Sequence, residues 1–141
     1  MTGAAPTASA TLRGRRILVV EDEYMIADEI AGVLEDVGAE TLGPTSHVND
    51  ALRLVASESR IDGALLDVNL RNEAVWPVVD ALLARGVPMV LATGYDASRI
   101  PQAYAQLPRR EKPASGQDLA RALAQALAAA APNDAKGKGQ A

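Results

Sequence analysis

Along the chain, continuous apolar runs alternate with segments whose apolar residues recur every three or four positions. Ile17-Leu18-Val19-Val20 is an unbroken aliphatic run, the pattern of a strand buried on both faces. Ile26, Ile30, Val33, Leu34 and Val37 follow at helical spacing, and Gly38 supplies a stop. A short strand is predicted over Glu40 to Leu42, ending at Gly43-Pro44. The helix after it turns Ala51, Leu52 and Val55 inward, with Ser46 or Asn49 as its cap. Gly63-Ala64-Leu65-Leu66-Asp67 reads as the next strand, and Val75, Val78, Val79, Leu82 and Leu83 mark a helix ended at Gly86. Val87 to Ala92 is a further apolar strand. Pro101 and Pro108 then break the pattern, so no regular helix is expected there. A brief strand precedes Lys112-Pro113, and a final Ala-rich helix, about Gln117 to Ala131, buries Leu119, Leu123 and Leu127.

Strands alternating with helices through short connections imply an α/β fold, a parallel sheet covered on both faces. The reading places one domain at residues 14–131. Residues 1–13, rich in Ala, Thr and Pro, and residues 132–141, with Lys136-Gly137-Lys138-Gly139, read as disordered tails. An apolar fraction of 48% over 141 residues suffices for a hydrophobic core without staples. The chain has no Cys, which excludes a disulfide framework and any Cys-based metal site or nucleophile. A net charge of −4 with no basic stripe argues against direct nucleic-acid binding. No apolar run approaches a membrane span, and Met1 to Ala10 lack the apolar stretch of a signal peptide; a cytoplasmic protein is expected.

In open parallel sheets the working residues gather beyond the carboxyl ends of the strands. Glu21 and Asp22 follow the first predicted strand, Asp67 ends the third, Thr93 ends the fourth and Lys112 closes the fifth. All five fall on one edge, where ordinary surface residues would scatter. Glu21, Asp22 and Asp67 together make a repulsive acidic group unless a cation neutralises it. Hard oxygen donors with room for water suit Mg2+, which accepts one or two carboxylates plus a phosphate. Asp67, held rigidly by a central strand, is then the best nucleophile toward phosphorus. Lys112 offers a point charge and Thr93 a hydroxyl donor for the phosphoryl oxygens.

Ile17-Leu18-Val19-Val20-Glu21-Asp22-Glu23, Leu65-Leu66-Asp67, Ala92-Thr93-Gly94 and Glu111-Lys112-Pro113 resemble the motifs of response-regulator receiver domains, in the family's order and over roughly residues 15 to 131. Each motif alone is weak; four in register are specific. The resemblance implies a flavodoxin-like, doubly wound five-stranded parallel sheet. It implies Asp67 as phosphoacceptor and metal ligand, Glu21 and Asp22 as the acidic pair with Asp22 the direct metal ligand, and the backbone carbonyl of Asn69 as the third protein ligand. Thr93 would be the switch hydroxyl, and Lys112 the phosphate-binding cation before a cis Pro113. Most receivers carry an aromatic switch residue three positions before the lysine, where Arg109 stands here. Leu91-Ala92-Thr93-Gly94-Tyr95 looks like the subgroup with a Phe-Ala-Thr-Gly-x-Tyr motif, with Leu91 in place of Phe. That subgroup implies a short or disordered fourth helix, and makes Gly94 and Tyr95 candidate parts of the switch.

The expected function is that of a response regulator phosphorylated by a sensor histidine kinase or phosphotransfer protein and acting on a downstream protein. It is not an enzyme beyond its own phosphorylation and dephosphorylation. Three rivals compete with this reading. A small Mg2+-dependent phosphohydrolase usually needs a second Asp two residues past the nucleophile, where Asn69 stands. A nucleotide-binding module needs a Gly-rich loop after the first strand, and none follows. A pseudo-receiver acting by contact alone would not need the complete acidic set. Among other residues, His47 reads as structural or exposed, Trp76 as packing, and Arg109-Arg110 as charged protection of an edge strand. The Ala-rich last helix is a candidate contact for a homodimer.

Overall fold

The computed structural model describes residues 7–71, 73–94 and 100–140, the last ten of these as helix backbone only. Its central sheet is built from β1 (Arg16–Val20), β2 (Glu40–Thr45), β3 (Gly63–Asp67), β6 (Met89–Thr93) and β7 (Arg109–Glu111). All four neighbouring pairs are parallel, in the order β2-β1-β3-β6-β7. That order, reversing direction beside β1, is the flavodoxin-like arrangement expected from the alternating pattern. A separate antiparallel hairpin, β4 (Asn69–Leu70) with β5 (Glu73–Ala74), follows β3 directly.

The sheet's pleat divides the core in two. Ile17, Val19, Leu65, Val90 and Ala92 face α2 (Tyr24–Asp36) and α5 (Gly116–Gln140), where Ile30, Leu34, Leu119, Leu123 and Leu127 complete the layer. Leu18, Val20, Ala64, Leu66, Met89 and Leu91 face the opposite side. There Ala51 and Val55 of α3 (Val48–Ser57) and Val78, Val79 and Leu82 of α4 (Trp76–Ala84) cover them. Strands buried on both faces account for the unbroken apolar runs.

The expected tail at residues 1–13 is, from Thr7 onward, ordered. Thr7 accepts a hydrogen bond from the Ala10 amide at 3.0 Å and caps α1 (Ala8–Leu12), whose Leu12 is fully buried beside α5. One apolar residue is too little for a periodic pattern to register, yet it fills a real hole. Strand β2 also runs past its predicted end, through Gly43-Pro44 to Thr45. An edge strand tolerates Pro, because one row of amides needs no partner. Gly43 has φ +91°, and a Cβ there would lie 2.8 Å from the Thr45 amide nitrogen, so the pairing shift opposite Val19 requires glycine. The last helix continues to Gln140 in its backbone, where the pattern had ended it near Ala131.

Between β6 and β7 the described residues hold only a 3-10 turn, Gln102–Tyr104, in agreement with a short fourth helix. Its Tyr104 ring stacks on Trp76, centroids 4.6 Å apart and 4° from coplanar, and its hydroxyl donates to Asp80 Oδ1 at 2.8 Å. Trp76 therefore packs as expected of a structural aromatic, with Tyr104 as its partner. Strand β7 is the sheet's other edge, its three residues exposed.

Because Leu12 is fully buried, Leu12→Ala should destabilise the protein by about 2 kcal/mol or more in urea unfolding. A change below about 0.5 kcal/mol, the range of surface substitutions, would contradict the packing of α1.

Candidate functional site

The parallel register sets the site. Val20 pairs with Leu66 and Asp67 with Ala92, so the carboxyl ends of β1, β3 and β6 finish level with one another. The extra length of β2 lets the Thr45 carbonyl accept the Glu21 amide at 2.9 Å, continuing the strand pairing one residue beyond β1. Glu21, Asp67 and Thr93 are thereby buried, at 4%, 2% and 3% exposure. Carboxylate oxygens of Glu21, Asp22 and Asp67 all lie within 4.8 Å of one another.

Positive groups surround this cluster. The Lys112 Nζ stands 3.0 Å from Asp67 Oδ2, delivered by a backbone in which the Lys112 amide donates to the Thr93 carbonyl at 2.6 Å. Pro113 follows through a cis peptide bond. The Glu23 amide donates to Glu21 Oε2 at 2.9 Å, the Asn69 amide to Asp67 Oδ1 at 3.0 Å, and the Arg71 amide to Asp22 Oδ2 at 2.7 Å. Burial pushes the Glu21 carboxyl up from about 4.5 to about 7; the Glu23 amide opposes this, the Asp67 charge adds to it, and Lys112 opposes it. Burial lowers the Lys112 ammonium, but Asp67 first, then Glu21 and Glu23, hold it above its ordinary value. Lys112 is thus a fixed cation at neutral pH, whereas Glu21 is poised between states.

Three converging oxygen donors, one of them on a carboxyl that burial pushes up, fit a hard divalent cation, which favours the ionised form of its ligands. The structure therefore brings together the sequence's candidates Glu21, Asp22, Asp67, Thr93 and Lys112. Asn69 is adjacent through its amide, and a Cβ on Gly94 would lie 3.9 Å from the Asn69 side chain. Arg109 is placed otherwise: it is exposed on β7, and its guanidinium donates to the Ala105 carbonyl at 3.2 Å rather than to the carboxylates. Tyr95 lies outside the described residues. Among the described residues an open groove of about 830 Å³ flanks the site between α2 and the start of α5, its lining including Ile26, Lys112 and Leu119.

Two contributors were not singled out from sequence. Arg71 reaches Asp22 through its amide and places its Nε 3.7 Å from Asp22 Oδ2. Glu73 accepts the Val48 amide at 3.0 Å and so caps α3, a task expected of Ser46 or Asn49. His47, the residue before α3, makes no side-chain cap and is largely exposed, near Glu73. A cap supplied from another element leaves no local signature.

No protein-family model matches the chain, and no curated protein matches it in sequence. Solved structures do. The solution structure of SdrG from Sphingomonas melonis Fr1 is 38% identical, with TM-score 0.70, over 82% of this chain and 97% of that one. The BeF3-activated conformation of SdrG from Pseudomonas melonis Fr1 is 37% identical, with TM-score 0.65, over 79% of this chain and 95% of that one. A response regulator receiver protein from Sinorhizobium medicae WSM419 is 24% identical, with TM-score 0.69, over 84% of this chain and 98% of that one, and shares the fold.

The raised Glu21 carboxyl has a signed consequence. A carboxyl protonated more readily when folded stabilises the fold fully below about 4.5, and that contribution is gone once the pH has risen through about 7. In metal-free buffer, urea unfolding should show stability falling by roughly 3 kcal/mol from this group across that window. Glu21→Gln should flatten the fall, and an equal slope in the variant would contradict the assignment.

Proposed function

The chain belongs to the response-regulator receiver family, and from that premise we propose that it accepts a phosphoryl group on Asp67 from a sensor histidine kinase or a phosphotransfer protein. One observation carries the reading: the buried Asp67 carboxylate sits among acidic oxygens within 4.8 Å while Lys112 Nζ stands 3.0 Å from its Oδ2. A nucleophilic carboxylate, a site for a divalent cation and a fixed ammonium are the parts that phosphoryl transfer to aspartate requires.

In this reading an Asp67 carboxylate oxygen attacks phosphorus as the donor's bond to phosphorus breaks, giving an acyl phosphate; the electron pair leaves with the donor group, which takes up a proton. Lys112 stabilises charge on the phosphoryl oxygens, and the Thr93 hydroxyl donates to one of them. Asn69 and Lys112 hold the Asp67 carboxylate in a single orientation from two sides, through its Oδ1 and Oδ2. Glu21, Asp22, Asp67 and the Asn69 carbonyl would hold Mg2+, which when bound screens the approaching phosphate from the carboxylates. The similarity to SdrG, for which a BeF3-activated conformation exists, supports an Asp67 site open to phosphoryl-like groups.

The chemistry is that of a signalling protein that turns over its own acyl phosphate rather than of an enzyme with an external product. The signal passes by contact with a downstream protein or by handing the phosphoryl group onward. Among the described residues no helix is long and apolar enough to cross a membrane.

Incubation with acetyl phosphate and Mg2+, followed by intact mass spectrometry, should show the gain of one phosphoryl group. Asp67→Asn or chelation of the metal should abolish the gain, and Lys112→Ala should slow it at least ten-fold. An unmodified wild-type chain across a panel of small donors and kinases would instead favour a receiver that acts by contact alone.

A further inference from the structure

Among the described residues, three hydrogen bonds tie the β4–β5 hairpin to groups outside it. The Asn69 amide holds Asp67, the Arg71 amide holds Asp22, and the Glu73 carboxylate holds the Val48 amide at the start of α3. Val68, Leu70 and Val75 are buried in the core layer beneath α3 and α4. The hairpin is therefore pinned by apolar residues and by two acidic side chains of the site. At its far end the Glu73 carboxylate ties it to a helix N-terminus, where a carboxylate is favoured by the unpaired amides, and the same oxygen stands 3.7 Å from His47 Nδ1.

Two-residue strands have little stability of their own. What fixes the path of residues 69–71, and with it the two amides aimed at Asp67 and Asp22, is the anchoring at the ends. Asp67 anchors one end by its place in β3. Glu73 anchors the other, since α3 is packed firmly by Ala51 and Val55.

We propose that Glu73 is a positioning residue of the acidic site: by clamping the hairpin to α3 it holds the Asn69 and Arg71 amides on Asp67 and Asp22, and so sets the affinity for Mg2+. This rests on the reading of Glu21, Asp22 and Asp67 as a magnesium site. Among the described residues Glu73 meets the Val48 amide and His47 rather than these carboxylates, and its effect runs through the hairpin backbone.

The test is magnesium affinity by calorimetry on the unphosphorylated protein, beside amide NMR shifts of Asn69 and Arg71 in metal-free buffer. Glu73→Ala should weaken Mg2+ binding about ten-fold, the scale seen when groups supporting metal ligands are removed, and should move both amide signals. Glu73→Gln keeps an oxygen for the Val48 amide and should stay within about two-fold of the wild type. Val48→Pro deletes the donor instead, at a helix position that tolerates proline, and should reproduce the Glu73→Ala affinity even if that variant fails to fold. Leu127→Ala loosens the opposite core layer without touching α3 or the clamp and should leave the affinity unchanged. Equal affinities for wild type and both clamp-breaking variants would overturn the proposal, as would a Leu127→Ala loss as large as theirs. A wild-type protein that binds no Mg2+ would overturn the magnesium reading and this inference together.

Discussion

Three carboxylates brought within 4.8 Å at a buried sheet edge repel one another, and the rest of the site is arranged around that repulsion. Desolvation removes the water that would otherwise screen it. The protein answers with one ammonium, on Lys112, and with main-chain amides from Glu23, Asn69 and Arg71. The remaining imbalance shows as a Glu21 carboxyl held up at about 7. The charge left over is negative, the sign that a divalent cation would offset. The parallel sheet matters because it alone brings residues so far apart in the chain to one edge with rigid backbones.

Two paths lead outward from Asp67. One passes through Thr93 and Gly94 into the segment before β7, whose described part is fastened by the Trp76–Tyr104 stack and the Tyr104–Asp80 bond rather than by a regular helix. The position that commonly holds a switch aromatic carries Arg109, which is bonded to Ala105 on the exposed edge and is built into no core. The other path is the β4–β5 hairpin, which joins the acidic residues to the start of α3 by short bonds. The described part of the first path is held by side-chain contacts, and the second by bonds from main-chain amides.

The fold was legible in the sequence because its strands are buried on both faces, and continuous runs such as Ile17 to Val20 and Gly63 to Leu66 advertise that burial. The site was legible for a related reason: strand ends are easy to locate, and Glu21, Asp22, Asp67, Thr93 and Lys112 all stand at them. What escaped was structure held by single or distant contacts. Leu12 is one residue filling one hole, too short a signal for any periodicity. Thr45 extends β2 beyond a Gly-Pro that reads as a stop, and only its pairing with Glu21 shows why. Glu73 caps a helix 25 residues earlier in the chain, so the local search for a Ser or Asn cap could not find it.

A divalent cation completing the acidic cluster would take the place of the Glu21 proton. Calorimetric titration with Mg2+ near pH 6.5, repeated in buffers of different ionisation heats, measures the protons released on binding. Release of a substantial fraction of one proton, vanishing by about pH 8.5 and absent in Glu21→Gln, is the result predicted. Binding with no proton release at any pH, or release that persists in Glu21→Gln, would contradict it.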